Sequence, residues 1–153
     1  MPVAAAAVAG VLLGAPARLT EPFQDLAPVR ALGGTYVKDK PGRDIWQKPD
    51  RTASRTVGDC EDWAILLRDR LRGSGLLSRL RLGRLRPGLT GLDTWHVWLE
   101  VKDAGTGRRF LLDTFGRWDG GAEHPLYQQE NHHLPGLIEQ RLGADWGHLA
   151  EWR

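Results

Sequence analysis

The feature that most constrains the fold of this chain is a pair of segments with period-two hydrophobicity, WHVWLEV at residues 95–101 and RRFLLDT at 108–114, joined by the turn-rich KDAGTG. Alternation of this kind fits a strand with one buried face, and two such runs around a Gly- and Asp-containing loop form a hairpin. With the loop at 103–106, Glu100 pairs with Arg109, Trp98 with Leu111 and His96 with Asp113, while Val97, Leu99, Val101, Phe110 and Leu112 make an unbroken apolar face turned to the core. A slip of one residue would carry Asp113 to that core side. The pattern therefore selects a register that puts an imidazole beside a carboxylate on the outward face, at a cross-strand spacing of roughly 5 Å.

A different period governs Cys60 to Arg72. Cys60, Trp63, Ala64, Leu67 and Leu71 recur at helical spacing while Arg68, Asp69 and Arg72 fall elsewhere, which predicts an amphipathic helix. Asp59 is its N-cap, with Asp62 three residues on, and Gly73-Ser74-Gly75 ends it. The single cysteine of the chain thus lies in the first turn, where unpaired backbone N–H groups and the helix dipole favour a thiolate. Its neighbours Asp59, Glu61 and Asp62 oppose one. By residue type alone, Cys60 reads rather as a small apolar core residue.

Elsewhere, SRLRLGRLR at 78–86 alternates leucine with arginine, predicting a strand with a solvated arginine face and a bulge at Gly83. Residues 33–58, with four glycines and two prolines, read as an irregular loop, 116–121 as another, 125–127 as a short strand and 137–142 as a short helix.

Composition narrows the function classes. A length of 153 residues with 41% hydrophobic content fits one domain over 1–153. A net charge of +2 with no basic run interleaved with aromatics argues against nucleic-acid binding. A lone cysteine excludes a disulfide framework and a multi-cysteine zinc site. His124, His132, His133 and His148 lack ligand spacing and read as surface residues. The apolar run at 3–15 is too short for a membrane span, which takes roughly 20 residues. Residues 1–17 read either as a signal segment, which would make the protein periplasmic or exported, or as an Ala-rich helix of a cytoplasmic protein.

A cysteine at a helix start, followed by a histidine and an aspartate paired across a hairpin, matches the logic of nucleophilic catalysis: Cys60 attacks, His96 moves the proton and Asp113 fixes the imidazole. GDCEDWA, WHVWLEV and FLLDTFG, in this order and with these intervals, together with the upstream DIWQKP at 44–49, resemble the bacterial transglutaminase-like cysteine proteinase family, within the transglutaminase and papain-like group. The likeness covers residues 36–115. It implies an α+β fold with the cysteine-bearing helix packed on an antiparallel sheet, and a cysteine peptidase acting on protein or peptide. Calcium held by Asp59, Glu61 and Asp62 is a further implication, and would offset the field those carboxylates place on Cys60. The chain departs from the family pattern at Asp50-Arg51, where a glutamate usually follows the proline, and at Thr114, where many relatives have asparagine. For an oxyanion hole, the Cys60 backbone N–H is the default donor, with Trp46 or Gln47 adding a side chain. Transamidation by the same triad, a non-catalytic binding module and a structural protein are the competing readings.

Overall fold

The computed structural model describes residues 27–39, 44–85, 95–114, 116–119 and 127–153. Helix α1 (Ala27–Ala31) leads to β1 (Thr35–Tyr36), α2 (Pro49–Arg55) and β2 (Val57–Gly58), which pairs in parallel with β1. Helix α3 (Cys60–Arg70) then precedes β3 (Leu76–Leu85), β4 (Trp95–Asp103), β5 (Arg109–Asp113), β6 (Gly116–Asp119) and β7 (Tyr127–Gln129). These five form an antiparallel sheet in the order β6-β5-β4-β3-β7. A 3-10 turn (Asn131–His133), α4 (Leu134–Leu142) and a second 3-10 segment (Ala144–Ala150) complete the described chain. The architecture is α+β, as expected from the sequence. Among the described residues no helix is long and apolar enough to cross a membrane. The segment 1–17 and His124 lie outside the described residues.

The hairpin forms with the expected faces but with a register two residues away. Glu100 lies opposite Leu111 and Lys102 opposite Arg109. The turn decides this. Asp103 Oδ1 accepts the backbone N–H groups of Gly105 and Thr106 at 2.8 and 3.3 Å, Asp103 also bonds Arg108 through the backbone, and Gly107 takes a left-handed φ of 73°. Asp103 is thereby retained in the strand and the loop moves on by one position. A slip of two keeps every side chain on its face. His96 and Asp113 consequently meet on the diagonal rather than directly across.

Packing α3 on the outward face of the hairpin would bring Cys60 to His96, but the helix lies on the opposite face. Cys60, Ala64, Leu67 and Leu71 pack with Leu80, Leu82, Val97, Leu99, Val101, Phe110 and Leu112, joined by Leu134, Ile138 and Leu142 of α4. The face carrying His96 is not solvated either: Trp98, Leu111, Trp118 and Tyr127 form a second buried cluster there. The sheet is thus covered on both faces, and the apolar Trp98 and Leu111 serve this second layer. Nor is α3 amphipathic. Cys60 through Arg68 are all buried, because Trp63 and Leu66 pack outward beneath Val29 of α1.

Four local expectations are corrected. Residues 33–58 contain two short strands and a helix, the strand pairing of Thr35 with Val57 and Tyr36 with Gly58 holding the segment together. Gly116–Asp119 is a strand, because Asp113 pairs with Gly116 and Trp118 turns inward over Leu111. Gly83 is not a bulge: it keeps regular pairing with His96 on β4 and Gln129 on β7, and a Cβ there would lie 2.1 Å from the Gln128 carbonyl oxygen. Glycine at 83 lets a neighbouring strand come close. The arginine face of β3 is likewise covered. Arg79 binds the fully buried Glu100 at 3.0 Å and stacks on Trp152, and Arg81 donates to the Ala150 carbonyl.

Candidate active site

The start of α3 is fixed by a network centred on Asp62. Asp59 and Asp62 form a reciprocal capping box. Asp62 also accepts the Gln47 backbone N–H at 2.8 Å and its side-chain amide at 3.0 Å, and that amide donates to the Val57 carbonyl as well. Both N–H groups of the Gln47 amide are therefore spent on the protein. Of the two residues expected near an oxyanion, Gln47 thus braces the helix start. Trp46 lines the cavity described below, with its indole N–H donating to Asp44 at 3.2 Å. Trp63, three residues after the cysteine, donates to the Gly58 carbonyl at 2.9 Å and ties the first turn to β2.

His96 and Asp113 come together as the sequence suggests. The His96 Nε2 lies 2.6 Å from Asp113 Oδ2, with both side chains buried. Two further donors converge on that carboxylate: Thr114 Oγ1 on Oδ1 at 3.0 Å and Tyr127 Oη on Oδ2 at 2.6 Å. Burial works to raise the Asp113 carboxyl, but His96, Tyr127 and Thr114 outweigh it and hold the group below the usual carboxylate range. An ionised carboxylate only accepts, so His96 Nε2 carries a hydrogen and donates it, and Nδ1 is the ring nitrogen that would exchange a proton with a substrate or thiol. Thr114, a departure from the family pattern, thus has a defined partner.

Cys60 lies against the strand that carries His96. The Val97 backbone N–H points at its sulfur, the one influence here that favours the thiolate apart from the helix start itself. Val97 adjoins His96, and Cys60 and His96 both line one cavity of about 600 Å³ with Trp46, Leu82, Trp95 and Leu137. His133, expected to be a plain surface residue, stands on the wall of this cavity.

Electrostatics at Cys60 run against reactivity. Burial, then Glu61 and Asp59, raise the thiol well above its ordinary range, and Sγ donates to Glu61 Oε2 at 3.2 Å. Asp59 is pushed up to about 11 by burial and by Glu61, and burial also raises Glu61 and Asp62. Oxygens of Asp59, Glu61 and Asp62 lie within 4.8 Å of one another, and Glu61 belongs to a second such group with Asp39 and Asp44. Asp59 Oδ1 and Glu61 Oε1 are buried without a hydrogen-bond partner.

Several of these residues were not foreseen from the sequence. Asp39 and Asp44 lie in a segment without period. Tyr36, held protonated by burial and by the charges of Cys60 and Asp59, comes in on a two-residue strand. Tyr127 and Trp118 belong to short edge strands.

The family model of the transglutaminase-like superfamily matches residues 6–112. The chain belongs to the transglutaminase-like superfamily. No curated protein matches it at the sequence level. Among solved structures it is similar to Legionella pneumophila LapG in an EGTA-treated and a calcium-bound form, each with a TM-score of 0.50 and 16% identity over 81% of this chain. The match covers 66% and 68% of those chains, so this chain spans about two thirds of their length. At such identity the likeness establishes a shared fold.

Proposed function

We propose that the protein is a thiol-dependent acyl-transfer enzyme acting on protein or peptide, a cysteine peptidase with Cys60, His96 and Asp113 as its triad. The observation that carries this reading is the buried His96–Asp113 pair opening on the cavity that also holds the helix-start cysteine. Cys60 would attack a carbonyl carbon while His96 takes its proton through Nδ1. The imidazolium so formed is stabilised by Asp113 and returns the proton to the leaving amine. The Cys60 backbone N–H lies in the first helical turn and would face the oxyanion, with Trp46 as a second donor once its indole N–H leaves Asp44. Hydrolysis and transamidation differ only in the second acceptor. Incubation with casein, with and without a dansylated primary amine, separates them: new N-termini support a peptidase, amine incorporation a transglutaminase. Neither product, together with a Cys60 inert to alkylation, would favour a binding module.

The acidic group fits a calcium ion. Hard oxygen donors are what calcium takes, and two buried oxygens without a hydrogen-bond partner, Asp59 Oδ1 and Glu61 Oε1, are acceptors such an ion would satisfy. We assign Asp59, Glu61 and Asp62 to this site, with Asp39 and Asp44 extending it through Glu61. Asp62 is the most committed elsewhere, since its oxygens already accept from Gln47 and Asp59. Bound there, the ion would supply positive charge that neutralises the field on the thiol.

A pH-dependent stability follows. In the unfolded chain these carboxyls ionise near pH 4. Folded and without a cation they keep their protons to higher pH, Asp59 to about 11. Folding therefore takes up protons between those limits, and stability is lost as pH rises through that window. In EGTA the melting temperature is expected to fall steadily from pH 5 to 8. Calcium at a hundredfold excess over its Kd should add about 2.7 kcal/mol, roughly 5–10 °C, and flatten the slope. Melts that are identical in EGTA and calcium would remove the ion from the site.

A further inference from the structure

We infer that Tyr127 is a positioning residue for the proposed triad, brought to Asp113 by a strand that can approach only because residue 83 is glycine. This rests on the thiol-chemistry reading above. Tyr127 Oη donates to Asp113 Oδ2 at 2.6 Å, the same oxygen that receives His96 Nε2. The phenol oxygen in turn accepts the Trp118 indole N–H at 2.8 Å. An indole nitrogen can only donate, so the phenol hydrogen is left to point at Asp113. The ring is 3% exposed and stacks on Trp98 with centroids 4.5 Å apart, which locks its direction.

Two consequences follow for the site. The carboxylate is gripped from three sides, by Thr114, Tyr127 and His96, so its plane and hence the imidazole are fixed before substrate arrives. A second donor on Oδ2 also spreads the charge of the carboxylate, which holds it as the acceptor of the Nε2 hydrogen.

The placement depends on β7, which pairs with β3 through Gly83 to Gln129 and Leu85 to Tyr127. A Cβ at position 83 would stand 2.1 Å from the Gln128 carbonyl oxygen, so any side chain there displaces the strand that carries the phenol. Glycine 83 and Tyr127 are one device.

The test is the rate of Cys60 alkylation by iodoacetamide against pH, in calcium, for wild type, His96→Ala, Tyr127→Phe, Trp118→Phe and Gly83→Ala, each checked by circular dichroism. The quantity of interest is the acceleration over His96→Ala. In Tyr127→Phe it is expected to drop about tenfold, and to vanish at a higher pH on the acid side than in wild type, because Asp113 has lost a donor that holds it ionised. Gly83→Ala should shift the same limb, and adding it to Tyr127→Phe should cost little more. If Tyr127→Phe does not fold, Trp118→Phe, which leaves the phenol but releases its direction, should move the limb the same way by less. A folded Tyr127→Phe, or failing that Trp118→Phe, with the wild-type profile overturns the inference while leaving the triad standing. Equal rates in wild type and His96→Ala would instead overturn the thiol reading itself.

Discussion

Cys60→Ser and His96→Ala are each expected to lower turnover by about four orders of magnitude or more, and the double variant to be no worse than either alone. In the proposed triad the two groups act as one unit: a hydroxyl in place of the thiol is a poorer nucleophile at neutral pH, and without the imidazole nothing accepts its proton. Asp113→Asn should approach the same loss without unfolding the site. An amide at 113 has a single acceptor oxygen, so turning its N–H toward His96 also takes the acceptor away from Tyr127; it no longer stabilises an imidazolium, and the turned N–H reverses the tautomer the proposed reaction needs. Initial rates of casein hydrolysis in calcium would show all three effects. Retention of more than a hundredth of the wild-type rate in His96→Ala would remove that residue from the chemistry.

Trp63→Ala should cost about 3–5 kcal/mol, a fall in melting temperature on the order of 10 °C. Its side chain is wholly buried, the centre of the cluster between α1 and α3. Gly34 exists to admit it: a Cβ there would lie 1.9 Å from Trp63 Cη2, so the loop before β1 has closed down on the indole. The same ring donates to the Gly58 carbonyl and so pins the turn immediately ahead of Cys60. Removing it opens a cavity beside the helix start and leaves that carbonyl only the Val37 backbone N–H at 2.7 Å. Trp63→Phe, which restores most of the volume but not the N–H, should recover most of the stability, leaving a deficit of about 1 kcal/mol. Thermal melts followed by circular dichroism measure both. A Trp63→Ala variant melting within a degree or two of wild type would mean that this cluster is not part of the core.

What the sequence discloses about this protein follows from which periodicities survive error. The hairpin faces were legible although the register was off by two, because a period of two is blind to a slip of two; His96 and Asp113 meet for that reason. The helix start was legible because Asp59 and Asp62 stand three residues apart around a single turn. The side of the sheet that α3 covers was not. Trp98 and Leu111 are as apolar as Val97 and Leu112, so both faces of β4 and β5 read as buriable, and both are buried. Arg68 and Arg81 misled in the opposite sense, as charged residues read as solvated but lying half or wholly covered, with burial pulling each guanidinium down to about 10. Of the two short strands, β7 reads two residues early in the sequence, at 125–127, and lies at Tyr127–Gln129, while β6 reads as a loop. Strands of three or four residues carry no signal of what they pair with, so that Tyr127 and Trp118 reach Asp113 through them was not legible until the chain was folded.

The most direct measurement is the ionisation of Cys60 followed by thiolate absorbance, in calcium and in EGTA, for wild type and His96→Ala. If sulfur, imidazole and carboxylate work together at a cation-neutralised site, the wild-type thiol in calcium ionises well below the ordinary value of about 8.5. It should return to or above that value in His96→Ala and in EGTA. A Cys60 that ionises at or above about 8.5 in every case would show a buried thiol with no activating partner, and the enzyme reading would fall.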